Sequence, residues 1–150
     1  MYKHILVAID LSPKSCNALK HAIKIAHLFN SKVILLNVHE EFLNKTEMIM
    51  SRVSVETLQK TFRDISIKAK KEIRHLIEDL DGGDIDIEIK IRDGKSASDE
   101  IITFSNKINP DLIVMGTNGK DELSDYIIGT TTSYVVDNSK YPVLVIPNTE

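Results

Sequence analysis

Apolar residues gather in five short runs, Ile5 to Ile9, Val33 to Val38, Ile85 to Ile91, Leu112 to Met115 and Val143 to Ile146, separated by stretches of helical spacing. Three runs are nearly continuous in Ile, Leu and Val, the pattern of strands buried on both faces of a parallel sheet. The third run differs. Ile85, Ile87, Ile89 and Ile91 alternate with Asp86, Glu88 and Lys90, which predicts a strand with one solvated face near a sheet edge.

The intervening stretches predict four helices. Ser12 is a good N-cap, Pro13 suits the first helical position, and Cys16, Leu19, Ile23, Ala26 and Phe29 follow at three- or four-residue spacing up to a stop at Asn30. Leu58, Phe62, Ile65, Ala69, Ile73, Leu76 and Leu80 form one stripe of a longer helix ended by the Asp81-Gly82-Gly83-Asp84 turn. Ser96 or Ser98 caps a third helix through Ile101, Ile102 and Ile108, terminated at Asn109-Pro110. The fourth runs from about Gly129 to Asp137. Residues 40–54 are left open between a loop and an early turn of the second helix.

This βαβαβαβαβ order predicts, through the right-handed crossover rule, an α/β fold in which an open doubly wound parallel sheet of five strands carries helices on both faces. At 150 residues one domain, 1–150, accounts for the chain. Ligands of such sheets sit outside the carboxyl ends of the strands, which directs attention to the residues after strands one, two and four.

Composition adds exclusions. The chain is 42% hydrophobic and 27% charged, an ordinary globular balance. A formal charge of -3 gives no basic field for a nucleic-acid backbone, although backbone amides can hold a mononucleotide without net positive charge. The apolar start is too short for a secretion signal or a membrane span, so a cytoplasmic protein is expected, with no nucleic-acid or membrane partner. The lone Cys16 reads as a core residue.

Strand four ends Val114-Met115-Gly116-Thr117-Asn118-Gly119, and Gly129-Thr130-Thr131-Thr132 opens the last helix. Glycines three apart permit a tight turn and close backbone approach, and a Gly-Thr helix start offers N–H groups, a hydroxyl and the positive end of a helix dipole, as a phosphate requires. The alternative is that Gly116 and Gly119 only make a turn and Gly129 relieves helix packing. Gly94-Lys95-Ser96 resembles the end of a P-loop, but Ile89 stands where that motif needs glycine, so a turn and helix cap is predicted there. None of His4, His21, His27, His39 or His75 falls into a metal-binding spacing, and His39 alone lies near the expected site. No nucleophile elbow or Cys–His arrangement is present, so no catalytic or metal-ligating residue is assigned.

At these residues the chain resembles the universal stress protein family, specifically its nucleotide-binding branch. The signature of that branch, Gly, two residues, Gly, nine residues, Gly, then Ser or Thr, is complete at Gly116, Gly119, Gly129 and Thr130. The resemblance extends through Lys3 to Ser12, Leu35 to Val38, Asp111 to Gly116 and Tyr141 to Ile146. It implies that Asp10 contacts a ribose, that Ala8 lies beside the base, and that Val38 offers backbone groups to an adenine edge with Met115 adding apolar surface. Gly116, Gly119, Gly129, Thr130, Thr131 and Thr132 would enclose the phosphates. The implied ligand is ATP, with Mg2+ as an optional companion on the phosphates. An Asx cap on the first helix is the alternative role of Asp10.

One departure weakens the expected affinity. The loop after the second signature glycine reads Lys120-Asp121-Glu122-Leu123-Ser124-Asp125, and a carboxylate held near a triphosphate repels it. The resemblance also implies a homodimer through the last strand, Val143 to Ile146, which would otherwise be an apolar edge open to association, and hence a strand order of 3-2-1-4-5. The function expected is that of a regulatory or stress-response ATP-binding dimer. A slow metal-dependent ATPase and a dimeric interaction module without nucleotide are the alternatives.

Overall fold

The computed structural model describes residues 1–40, 55–118 and 128–148. Strands β1 (His4–Ala8), β2 (Lys32–His39), β3 (Ile87–Asp93), β4 (Leu112–Gly116) and β5 (Val143–Ile146) form one sheet in the order β3-β2-β1-β4-β5. Every pairing is parallel, with Ile5 of β1 set against Val33 on one side and Leu112 on the other. Helices α1 (Pro13–Phe29), α2 (Val55–Asp79), α3 (Ala97–Ile108) and α4 (Thr130–Asn138) cover both faces, giving the doubly wound arrangement expected from the element order.

The strand alternation sorts the core into two layers. Ile5, Val7, Val33, Leu35, Leu112 and Val114 pack against Ala18, Leu19, Ala22 and Ile23 of α1 and Ile73 of α2. The opposite positions Leu6, Ile34, Leu36, Ile113 and Met115 pack against Ile101 and Phe104 of α3 and Val135 of α4. Central strands that bury both faces are the physical reason their sequences show no alternation. β3 does alternate, and it is an edge strand.

Helix ends follow local chemistry. The Ser12 side chain accepts from the Ser15 N–H, and Asn30 closes α1 in the left-handed region at φ 52°. Ser96 rather than Ser98 caps α3, accepting from the Asp99 N–H, so the Gly94-Lys95-Ser96 segment is a turn and cap. Three positions differ from expectation. β3 begins at Ile87, not Ile85, because the Ile85 N–H is drawn into a turn by the Gly82 carbonyl at 3.2 Å. Phe29 stands 39% exposed, edge-on to Tyr2 at 5.4 Å, instead of joining the core. Cys16 is half-buried, while Lys14 and Ser15 take the buried positions of the first turn. Burial, and secondarily the charge of Asp10, pushes its thiol pKa up, which does not favour the reactive thiolate.

The edge is clamped by charge. Glu88 accepts from Lys90 at 2.5 Å and Lys32 at 2.9 Å, and those hydrogen bonds, Lys90 first, lower its carboxyl pKa from 4.5 to about 2. A depressed carboxylate pKa contributes stability above the unfolded value of 4.5 and loses it as pH falls toward 2. Solvent and salt screen this open cluster, so the contribution is small. NMR titration at low salt is expected to place the Glu88 midpoint near 2; a midpoint at the ordinary carboxylate value would show that the clamp does not hold in solution.

Candidate functional site

The carboxyl ends of β1, β2 and β4 open into a cleft of about 620 Å³, within the size range of small-ligand sites. Ala8, Asp10, Val38, Met115, Gly116, Thr130, Thr131 and Thr132 all line it, as does His39. Gly129 is the buried N-cap of α4. Its N–H donates to the Thr117 carbonyl at 2.7 Å and its own carbonyl accepts from Ser133 at 2.9 Å. Gly119 and the loop from Lys120 to Asp125 lie outside the described residues, as do residues 41–54.

Gly116 has a steric requirement that its motif spacing did not reveal. A Cβ there would stand 3.0 Å from the Lys14 carbonyl carbon and 3.1 Å from both the Lys14 Cβ and carbonyl oxygen. The close backbone approach enforced at this glycine is therefore to the first turn of α1, and its φ is not positive. Its carbonyl is engaged as well, accepting from the buried Thr132 hydroxyl at 2.8 Å. Thr132 thus ties the start of α4 to the end of β4, so its side-chain proton serves the framework of the cleft. Thr130 and Thr131 line the cleft at the start of a helix whose N-cap residue, Gly129, makes no side-chain cap hydrogen bond. Such a start presents backbone N–H groups and the positive end of a dipole.

Asp10 makes an Asx turn just ahead of α1 and does not cap the helix itself, since Ser12 is the N-cap. Its Oδ1 accepts from the Ser12 N–H at 2.9 Å, while its own N–H donates to Ser15 Oγ at 3.2 Å. Between them Leu11 is held at φ 65°, a conformation disfavoured for a side chain of its size. The turn keeps Asp10 at the cleft wall where β1 gives way to α1.

Other lining residues escaped the sequence reading. Ile65, Lys68, Ala69 and Glu72 of α2 form a wall, and Ala97 and Ile101 of α3 another. The Glu40 carboxylate accepts from the Ala97 N–H, joining the end of β2 to the start of α3. Asn37, a polar residue inside the apolar run Leu35-Leu36-Asn37-Val38, is 4% exposed and lines the cleft. Its side-chain amide donates to the Ile9 carbonyl at 2.7 Å, which fixes the orientation of the group. Oδ1 has no hydrogen-bond donor among the described residues, and an unsatisfied buried acceptor costs about 1–3 kcal/mol. That polar interruption was the available signal. The contribution of α2 was hidden, because Lys68 and Glu72 are indistinguishable in sequence from its solvated face.

Chemically, the cleft combines apolar faces at Ala8, Val38, Met115 and Ile101 with a carboxylate at Asp10 and a helix start at Thr130. Among the described residues no three His, Cys, Asp or Glu side chains gather as metal ligands. No helix among them is long and apolar enough to cross a membrane.

An open doubly wound sheet with a cleft over the strand ends, where crossovers leave the sheet on opposite faces, defines the class of α/β proteins that receive small ligands at this position. The model of the universal stress protein family matches residues 1–147, and the chain belongs to that family. It is 31% identical over 146 residues to a universal stress protein of Methanocaldococcus jannaschii, covering 97% of this chain and 82% of the relative. The solved structure of the M. jannaschii protein MJ0577 superposes with a TM-score of 0.82 at 27% identity, covering 100% of this chain and 99% of that one. A universal stress protein from Archaeoglobus fulgidus solved in complex with dAMP shares the fold, with a TM-score of 0.64 at 20% identity over 97% of this chain and 98% of that chain.

Gly116→Ala is expected to lose about 1–3 kcal/mol of stability in urea denaturation, since the added carbon meets the backbone of α1 rather than a side chain that can swing away. A variant as stable as the parent would mean that α1 does not press on β4 as described.

Proposed function

We propose that the protein is an adenine-nucleotide-binding member of its family, with ATP as the ligand, acting as a regulatory or stress-response homodimer in the cytoplasm. The observation that carries this reading is the convergence of Ala8, Asp10, Val38, Met115, Gly116 and the Thr130 to Thr132 helix start on one cleft from three separate strand ends. A flat base fits between Ala8, Val38 and Met115. The Asp10 carboxylate, whose Oδ1 accepts from the Ser12 N–H, lines the cleft and is the kind of group that accepts from ribose hydroxyls. The start of α4 suits phosphates. Magnesium, when present, neutralises phosphate charge, and its ligands would come largely from the phosphates and water.

The dAMP bound by the A. fulgidus relative supports the choice of an adenine nucleotide. The half-buried β5 at the sheet edge supports pairing with a second copy. Hydrolysis gains less support. Asp10, the nominal water-holding group, is engaged in the turn, and phosphoryl transfer to water needs a group in line with the terminal phosphate.

Protein purified without added nucleotide and then heat-denatured should release ATP or ADP at close to one per chain, and calorimetry with magnesium and ATP should show binding to emptied protein. Gly129→Glu is expected to abolish that binding while the circular dichroism spectrum remains that of a folded chain. Empty protein with no calorimetric response to millimolar ATP would overturn the reading.

A further inference from the structure

β3 is an edge strand whose outer side meets no other strand among the described residues. Along such a strand, successive residues turn their backbone N–H and C=O groups alternately to one side and the other. The Asp86 carbonyl accepts from the Val33 N–H of β2 at 2.9 Å, so the backbone groups of Glu88, Lys90 and Arg92 also turn toward β2. Those of Ile87, Ile89 and Ile91 turn outward, as a template for another strand.

The side chains define what that strand can be. Ile87, Ile89 and Ile91 pack on the core layer that includes Ile73 of α2, while Glu88 and Lys90 stand 37% and 45% exposed on the other face. Along that face the charges run Asp86, Glu88, Lys90, Arg92, two acids followed by two bases. Charged edges ordinarily discourage pairing, but this order is its own complement when reversed.

We propose that β3 pairs antiparallel with β3 of a second copy of the chain, about a two-fold axis at Ile89. Ile89 then faces its own counterpart, and Ile87 of each copy faces Ile91 of the other, as hydrogen-bonded pairs that use the outward backbone groups. Glu88 of each copy falls opposite Lys90 of the other, and Asp86 opposite Arg92, in the non-hydrogen-bonded positions where side chains come closest. Moving the axis by one residue sets Glu88 against Glu88 or Lys90 against Lys90 at its centre. A parallel arrangement in register stacks like charge on like, so a single register is selected. The inference stands apart from nucleotide binding and adds a second surface for self-association, at the sheet edge opposite β5.

The test is sedimentation velocity on the full chain at low salt. Wild-type protein is expected to reach about twice the mass of Glu88→Lys or of Lys90→Glu measured alone, and to lose that difference at about 0.5 M salt. Each single variant sets like charges opposite one another. An equimolar mixture of the two restores complementary pairs between unlike chains and is expected to recover the wild-type mass. Circular dichroism checks that both fold. If either does not, the double variant Glu88→Lys with Lys90→Glu, which is again complementary to itself, should associate as the wild type does; a folded double variant that stays apart would overturn the pairing. Equal masses for the wild type and both single variants would overturn it while leaving the β5 dimer standing. A mixture no heavier than its components would overturn it as well.

Discussion

The site depends on the junction at Gly116. The last residue of β4 has the backbone of α1 pressed against it at Lys14, and it receives the Thr132 hydroxyl of α4 on its carbonyl. A single strand end therefore sets the positions of two helices that lie on opposite faces of the sheet. The first turn of α1 carries Ser12 and Ser15, which hold the Asp10 turn in place. The first turn of α4 carries the helix start proposed for phosphates. The starts of α1 and α4 are thus both referenced to Gly116, and a side chain at that point would press on the first of them. Rigidity of this kind suits a binding site, because less order has to be created when the ligand arrives.

Much of the fold was legible because the sheet is parallel and buried. Continuous Ile, Leu and Val in β1, β2 and β4 and strict alternation in β3 follow from how many faces each strand hides, and those patterns survive without homologues. Capping chemistry at Ser12, Asn30, Ser96 and Asn109 marked helix ends for the same local reason. The misses came from tertiary choices. Ile85 has the right alternation for β3 but is recruited by the Gly82 turn. Phe29 has the right spacing for α1, yet its ring stands partly exposed and edge-on to Tyr2 rather than in the core.

At the site, Ala8, Asp10, Val38, Met115, Gly116 and Thr130 to Thr132, which the family resemblance singled out, line one cleft, while Gly129 is the buried N-cap beside it. The reason for Gly116 could not be read from spacing, because its partner is a backbone more than one hundred residues earlier in the chain. Asn37 left a trace, as a polar residue in a buried run, but only the geometry shows that its nitrogen is engaged by Ile9 while Oδ1 has no donor among the described residues. Lys68 and Glu72 left none. Whether a charged helical residue faces water or a cleft depends on the packing of α2 against the sheet, which its own stripe fixes only as to which face is apolar.

Charge gives the cleft its remaining character. The chain as a whole is acidic at -3, so attraction for a nucleotide has to come from local, oriented groups such as the start of α4 rather than from the net field. The central claim is that an adenine nucleotide lies across the strand ends from the β2 side to α4. Its most direct test is amide chemical-shift mapping on titration with ATP and magnesium. The account predicts saturable shifts concentrated at Asp10, Val38, Gly116 and Thr130 to Thr132. Shifts absent from these residues, or centred on the opposite end of the sheet, would contradict it.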